Sequence, residues 1–195
     1  MNKSILDFCF KAMDLKLVNR SGWEEVGIIN VESVMDHVGS TVMLAMAINS
    51  EKGLNLNMSK VYEMIVIKEL KKAVSKNEVS ITENSSNTDD SLEVLKLLSN
   101  NSSLIDTYNE YKEGVTKEAK FALMVSKFES DIQAKKYEMN GEFTIENAKR
   151  DIENYPEELR SQLTNITKAS DGWLAYDSQF YDEMFKKMSE ELKRL

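Results

Sequence analysis

The sequence predicts an all-α fold, a helical bundle, and three observations carry that expectation. Proline occurs once, at Pro156, and glycine only seven times in 195 residues, so helix-breaking residues are scarce. Leu, Lys, Glu and Met, all good helix formers, are common throughout. Apolar residues in the longer segments also gather on one side when positions advance by about 100° per residue. Helices are accordingly expected at about residues 2–17, 31–51, 57–75, 90–99, 103–113, 116–139, 156–168 and 175–194. No internal repeat, heptad run or second compositional block breaks the pattern, which predicts a single domain over 1–195.

Each element has its own reason. The N-terminal segment MNKSILDFCFKAMDLK carries Asp7, Lys11 and Asp14 among its apolar residues, so it is not expected to act as a secretory signal. In VESVMDHVGSTVMLAMAI, the only histidine of the chain, His37, lines up with Val34, Thr41, Leu44 and Ile48 and is expected to face inward. A lone inward histidine is ordinarily a core residue satisfied by one hydrogen bond. Asn57 and Ser59 can cap the next helix. On that helix Met58, Tyr62, Ile65, Val66, Leu70 and Ala73 share a face, with Glu69 near its middle. Lys68 and Lys72 fall on the flank of the arc, and Lys71 points to solvent.

The stretch TENSSNTDDS, Thr82 to Ser91, is almost free of apolar residues and reads as a surface loop, with SNNSS at Ser99 to Ser103 as a turn. The helix of EAKFALMVSKFESDIQAKKYE has an apolar stripe of Phe121, Met124, Val125, Phe128 and Ile132. A second face presents Ala119, Ala122, Ser126, Glu129, Ser130 and Gln133, which suits close helix packing or the lining of a polar cavity. Pro156 followed by Glu157 and Glu158 makes a good first helical turn. The C-terminal segment adds Trp173, Leu174, Tyr176, Phe180, Tyr181, Met184, Phe185 and Met188, more aromatic surface than a terminal helix needs. Most of it should pack on the domain, and a remainder suits a homodimer interface.

Composition excludes several classes of function. Apolar residues at 42% and charged residues at 30% are the balance of a soluble globular protein. A net charge of -8 argues against nucleic-acid or anionic-membrane binding, because phosphate backbones repel such a surface. No apolar run approaches the length that spans a bilayer. Cys9 is the only cysteine, so the chain has neither an internal disulfide nor a thiolate cluster for a metal. Gly-rich phosphate loops, nucleophile elbows and Ser-His-Asp arrangements are absent from the sequence. A cytoplasmic location is expected.

Glu69 then poses the sharpest question. A carboxylate centred on an apolar face costs on the order of several kcal/mol if buried without a partner. It needs a cation, a hydrogen bond or a functional reason, and a salt bridge or rim position is the plainer explanation.

Four separated motifs give that position an address: RSGW at Arg20 to Trp23, ESVMDH at Glu32 to His37, KELKKAV at Lys68 to Val74, and EYKEGVTKEAKF…SKFESDIQA from Glu110 to Ala134. In this order and on these helices the chain resembles the HD-domain phosphohydrolases of the 5'-deoxynucleotidase-like branch. The likeness spans about residues 5–140, and 141–195 is a C-terminal helical extension expected to pack on the domain. The resemblance implies an all-α domain that holds a divalent metal and hydrolyses the phosphate of deoxynucleoside monophosphates, the ion activating water and polarising the phosphate. It also implies four ligands: a first His, the His-Asp pair that names the family, and a later Asp. In this chain the first His is His37, the pair falls on Lys68 and Glu69, and the later Asp falls on Ser126. The acidic residue expected to assist proton transfer falls on Lys72.

The departures are severe. Only His37 is kept, and Glu69 is a longer substitute for Asp. Lys68 puts a positive charge where a cation should sit; at about 4 Å from a divalent ion the repulsion is roughly 8 kcal/mol, even at an effective dielectric near 20. The expected protein is therefore a catalytically inactive HD domain with no bound cofactor, His37 and Glu69 standing as remnants of the metal site. Arg20, Trp23, His37, Lys68 and Lys72 are its candidate ligand-binding residues, with a nucleotide or small phosphate, or a protein partner, as what is bound. An enzyme with a rebuilt divalent-metal site is the alternative, using Glu69, His37 and a further carboxylate such as Glu129 or Asp131. A helical interaction protein that keeps only the scaffold is the third reading.

Overall fold

A computed structural model describes residues 3–74, 90–150, 153 and 157–195, and the protein is all-α. The expectations placed on residues 82–89 and on Pro156 lie outside the described residues. Among the described residues the one β-type pairing is an isolated antiparallel bridge between Asn19 and Ser33. Two units account for the fold, residues 1–21 with 32–125 and residues 22–31 with 126–195.

The first unit contains helix α1 (Lys3–Met13), which tightens into a 3-10 turn at Asp14–Lys16. Helix α2 (Ser21–Glu25) follows and carries the chain into the second unit. Back in the first unit, helix α3 (Val34–Lys52) starts from a capping box at Ser33. The Ser33 hydroxyl accepts the Asp36 N–H at 3.1 Å, and the Asp36 carboxylate accepts the Ser33 N–H at 2.9 Å. The helix ends at Gly53, whose φ of 60° is the left-handed conformation that closes a C-terminus with least strain in glycine. Replacing Ser33 with alanine is expected to lower stability by about 1 kcal/mol, read as a shifted urea midpoint at unchanged slope.

Helix α4 (Met58–Ile67) starts at Asn57, whose side chain accepts the Lys60 N–H at 3.3 Å. It is shorter than expected. After Ile67 the backbone tightens: the Glu69 N–H donates to Val66 and the Lys72 N–H donates to Glu69, and a 3-10 turn runs over Leu70–Ala73. Helix α5 (Asp90–Leu95) begins where the helix over about 90–99 was expected and ends earlier, and the Ser91 hydroxyl accepts the Lys71 N–H at 3.1 Å. Helix α6 (Ser102–Glu113) packs on α4, and α5 packs on the 3-10 turn. The core these elements share is built from Leu15, Val34, Ile67, Leu70, Ala73, Val94, Leu95 and Tyr108.

Helix α7 (Lys117–Met139) matches its expected span and is buried on both of its faces. The second unit adds α8 (Ile145–Ala148), α9 (Glu157–Thr164), α10 (Ala169–Asp177) and α11 (Glu183–Arg194). The single C-terminal helix expected at 175–194 is thus two, separated by a 3-10 turn at Ser178–Phe180 and restarted by Asp182, whose carboxylate accepts the Phe185 N–H at 2.9 Å. An aromatic core holds this unit. The Trp23 and Trp173 rings stack at 4.2 Å, and the edges of Tyr137 and Phe143 meet Trp23. Tyr181 and Phe185 pack on Phe128, leaving Tyr176 and Phe180 as the exposed part of the aromatic segment.

Candidate functional site

The site lies in the first unit, where two pieces of backbone meet the start of α3. The bridge between Asn19 and Ser33 is extended by the Arg20 N–H donating to Glu32 at 3.1 Å and the Val34 N–H donating to Val18 at 2.8 Å. That pairing fixes Arg20 beside Glu32, with the Arg20 Nε 3.8 Å from a Glu32 carboxylate oxygen. His37 follows one turn into α3, fully buried, and its ring nitrogen lies within 4.8 Å of a Glu32 carboxylate oxygen.

The other half comes from the end of α4. The buried residues Val61, Met64 and Ile65 set its inward direction, whereas Val66, expected on that face, is 37% exposed. Continued at about 100° per residue, this phase aims position 68 inward and turns position 69 to the flank. The tightening after Ile67 changes the outcome for Glu69 and brings both side chains in, Lys68 at 13% and Glu69 at 6% side-chain exposure. Lys71, expected in solvent, is half-buried.

Glu69 is the hub of the cluster. Its Oε1 accepts a hydrogen bond from the Lys68 ammonium, and the same oxygen is 3.7 Å from His37 Nε2. Lys72 Nζ lies 2.8 Å from Oε2, an ion contact without hydrogen-bond alignment. Burial alone would push the Glu69 carboxyl up, but the Lys68 and Lys72 ammonium groups outweigh it and hold the acid well below the usual carboxylate range. Burial likewise lowers Lys68, against the opposing pull of Glu69. For His37, burial and then the charges of Arg20 and Lys68 keep the imidazole well below its ordinary value, so it is neutral at pH 7.

At Glu69 itself a divalent ion does not fit as the side chains stand. Both oxygens of Glu69 already face ammonium groups, those of Lys68 and Lys72. The Glu32 carboxylate is beside a guanidinium. His37 is the one neutral donor in the group.

The remaining candidates belong to the second unit. Trp23 is 1% exposed, its faces and edges taken by Trp173, Tyr137 and Phe143, and no face of the indole is open to a sugar or base. Ser126 is buried on α7, where its carbonyl accepts the Ser130 hydroxyl at 3.3 Å. Glu129 is also buried. Asp131 is fully buried and accepts the Tyr181 hydroxyl at 2.6 Å, while its other carboxylate oxygen has no hydrogen-bond partner. Glu32 was not picked out from the sequence. The available signal was its place as the first residue of ESVMDH, five positions before the histidine.

Comparison with known proteins agrees with this architecture. A family model described as HD domain matches residues 12–166. A conserved hypothetical protein from Pyrococcus furiosus superposes with a TM-score of 0.68 at 21% identity, covering 97% of this chain and 99% of its own. A Pyrococcus horikoshii OT3 protein superposes with a TM-score of 0.64 at 18% identity, covering 97% and 98%. A predicted metal-dependent phosphohydrolase from Magnetospirillum magnetotacticum MS-1 gives 0.53 at 13% identity, covering 95% and 93%. At these identities the superpositions speak for the fold. No curated protein matches the chain.

Proposed function

The chain belongs to the HD-domain family, and from that premise we propose that it is a non-hydrolytic member which binds the phosphate of a nucleotide without a metal ion. One observation carries the reading. At the two positions where the resemblance places the family's His-Asp pair, a half-buried lysine is hydrogen-bonded to a buried glutamate, and a second lysine closes on the same carboxylate. Lys68 and Lys72 together supply two positive charges, the charge of the ion they replace. Lysine neutralises phosphate directly as a point charge, and Arg20 adds a planar donor beside them. The 5'-deoxynucleotidase-like motifs make deoxynucleoside monophosphates the first ligands to test.

The test pairs metal analysis with an activity assay. Purified protein is expected to hold divalent metal far below one ion per chain. It is also expected to release no phosphate from deoxynucleoside monophosphates with Mg²⁺, Mn²⁺ or Co²⁺. Addition of 2'-deoxyadenosine 5'-monophosphate in EDTA should raise the melting temperature, because a ligand bound to the native state stabilises it.

A second reading, a metal-dependent phosphohydrolase with a rebuilt site, has one observation in its favour, the proximity of the Glu32 carboxylate to the His37 ring. Metal-dependent hydrolysis that disappears in His37→Ala would establish it and sink the first.

A further inference from the structure

We propose that Glu69 is a tethered competitor for the ligand: its carboxylate occupies the cation pair in the resting protein, and a phosphate monoester binds by displacing it from Lys72. This rests on the phosphate-binding reading above and adds to it how the site is guarded and which phosphates can enter.

The two sides of the carboxylate are not equivalent. On the Oε1 side Lys68 is deeply placed, hydrogen-bonded to the acid and near His37. On the Oε2 side the contact with Lys72 lacks hydrogen-bond alignment, and the Lys72 side chain is 36% exposed. Lys72 is therefore the cation that can turn toward a ligand while Lys68 keeps its partner. Arg20 is held in the same way by Glu32, at a looser 3.8 Å. Lys68 and Lys72 face Glu69, and Arg20 faces Glu32, so each of these cations has an internal anion beside it.

An incoming anion must outbid a carboxylate that is already in place. A phosphate monoester carries close to two negative charges and three acceptor oxygens at neutral pH. A carboxylate has one charge and two oxygens. A phosphodiester has one charge, no more than the group it must replace. The site is thus built to admit monoesters and to exclude diesters, and its resting affinity is reduced by the fraction of molecules in which Lys72 is still engaged.

The closing experiment is calorimetric titration of the full chain, in EDTA at pH 7.5, with 2'-deoxyadenosine 5'-monophosphate and with its 3',5'-cyclic diester. The wild type should bind the monoester and not the diester. Glu69→Gln, which keeps the side-chain shape and removes the charge, should bind the monoester about tenfold more tightly, the gain expected if Lys72 is free in roughly one molecule in ten. Lys72→Met should abolish that gain when combined with it. Equal or weaker monoester binding by Glu69→Gln, with wild-type binding intact, overturns the displacement and leaves the phosphate-binding reading standing. Absence of binding in both proteins removes the phosphate-binding reading itself. Should Glu69→Gln fail to fold, NMR of the wild type decides. The Lys72 Nζ and Glu69 side-chain carboxyl signals must move together as monoester is added, and static signals at saturation overturn the proposal.

Discussion

Replacing Glu69 with alanine is expected to lower the unfolding free energy by about 3–5 kcal/mol, the usual result of stripping one partner from a buried ion pair. The loss comes less from the contact than from what remains. Lys68, at 13% side-chain exposure, keeps an ammonium in surroundings from which its counter-charge has gone, and Lys72 and Arg20 add like charge nearby. Converting Lys68 to methionine in the same chain should recover part of the loss, since it removes the stranded ammonium at similar side-chain volume and leaves only the cavity of the Glu69 truncation. Urea unfolding of the two single variants and the double variant closes the cycle, and a double variant no better than Glu69→Ala would show that Lys68 is not the stranded charge.

The pH dependence of this variant has a definite sign. The folded-state pKa of Glu69 lies below its unfolded value, so the pair contributes stability that is fully present above about pH 4.5 and is lost as pH falls toward the folded value. The gap between wild type and Glu69→Ala should therefore be widest near neutrality and narrow in acid. A constant gap from pH 3 to pH 7 would mean that Glu69 is not preferentially charged in the fold.

How much of this was legible in the sequence depends on the distance over which each signal acts. The long helices α3 and α7 were readable because many residues vote on one phase, and His37 and Thr41 are buried as that phase requires. The burial of Glu69 was also anticipated, although for an incomplete reason. A continuous helix does not produce it; the switch to 3-10 geometry after Ile67 does, and no periodicity rule announces that switch. The same limit explains α2 and α8, helices of five and four residues that are too short to show a period. Trp23 stands apart from both cases. Its neighbour in the chain, Arg20, belongs to the site, yet the indole serves an aromatic core whose other members, Tyr137, Phe143 and Trp173, lie more than a hundred residues away in sequence. A motif carried by family resemblance gives a position but not the direction its side chain takes.

Asp131 yields the second large effect, and with the opposite sign. Its carboxyl is fully buried on α7, and burial together with the charge of Asp177 pushes it up to about 8, against the Tyr181 hydrogen bond and the more distant Lys127 and Lys193. The folded chain therefore holds a proton at this position over a range where the unfolded chain, near 3.9, has released it. Stability contributed here is greatest below about pH 4 and falls as pH rises toward 8, the difference reaching on the order of 5 kcal/mol. Asp131→Asn keeps an oxygen for the Tyr181 hydroxyl and cannot ionise. Its new amide replaces the carboxylate oxygen that lacks a partner, so near pH 4 the variant should be no more stable than wild type and somewhat less so if that N–H finds no acceptor. With rising pH the curves should cross, and by pH 8 the variant should be the more stable protein by several kcal/mol on the same arithmetic. Urea unfolding of both proteins at half-unit intervals from pH 4.5 to 8.5 gives the difference directly. A difference that does not change with pH would place Asp131 in its ionised form throughout, with Lys127 rather than a bound proton balancing its charge.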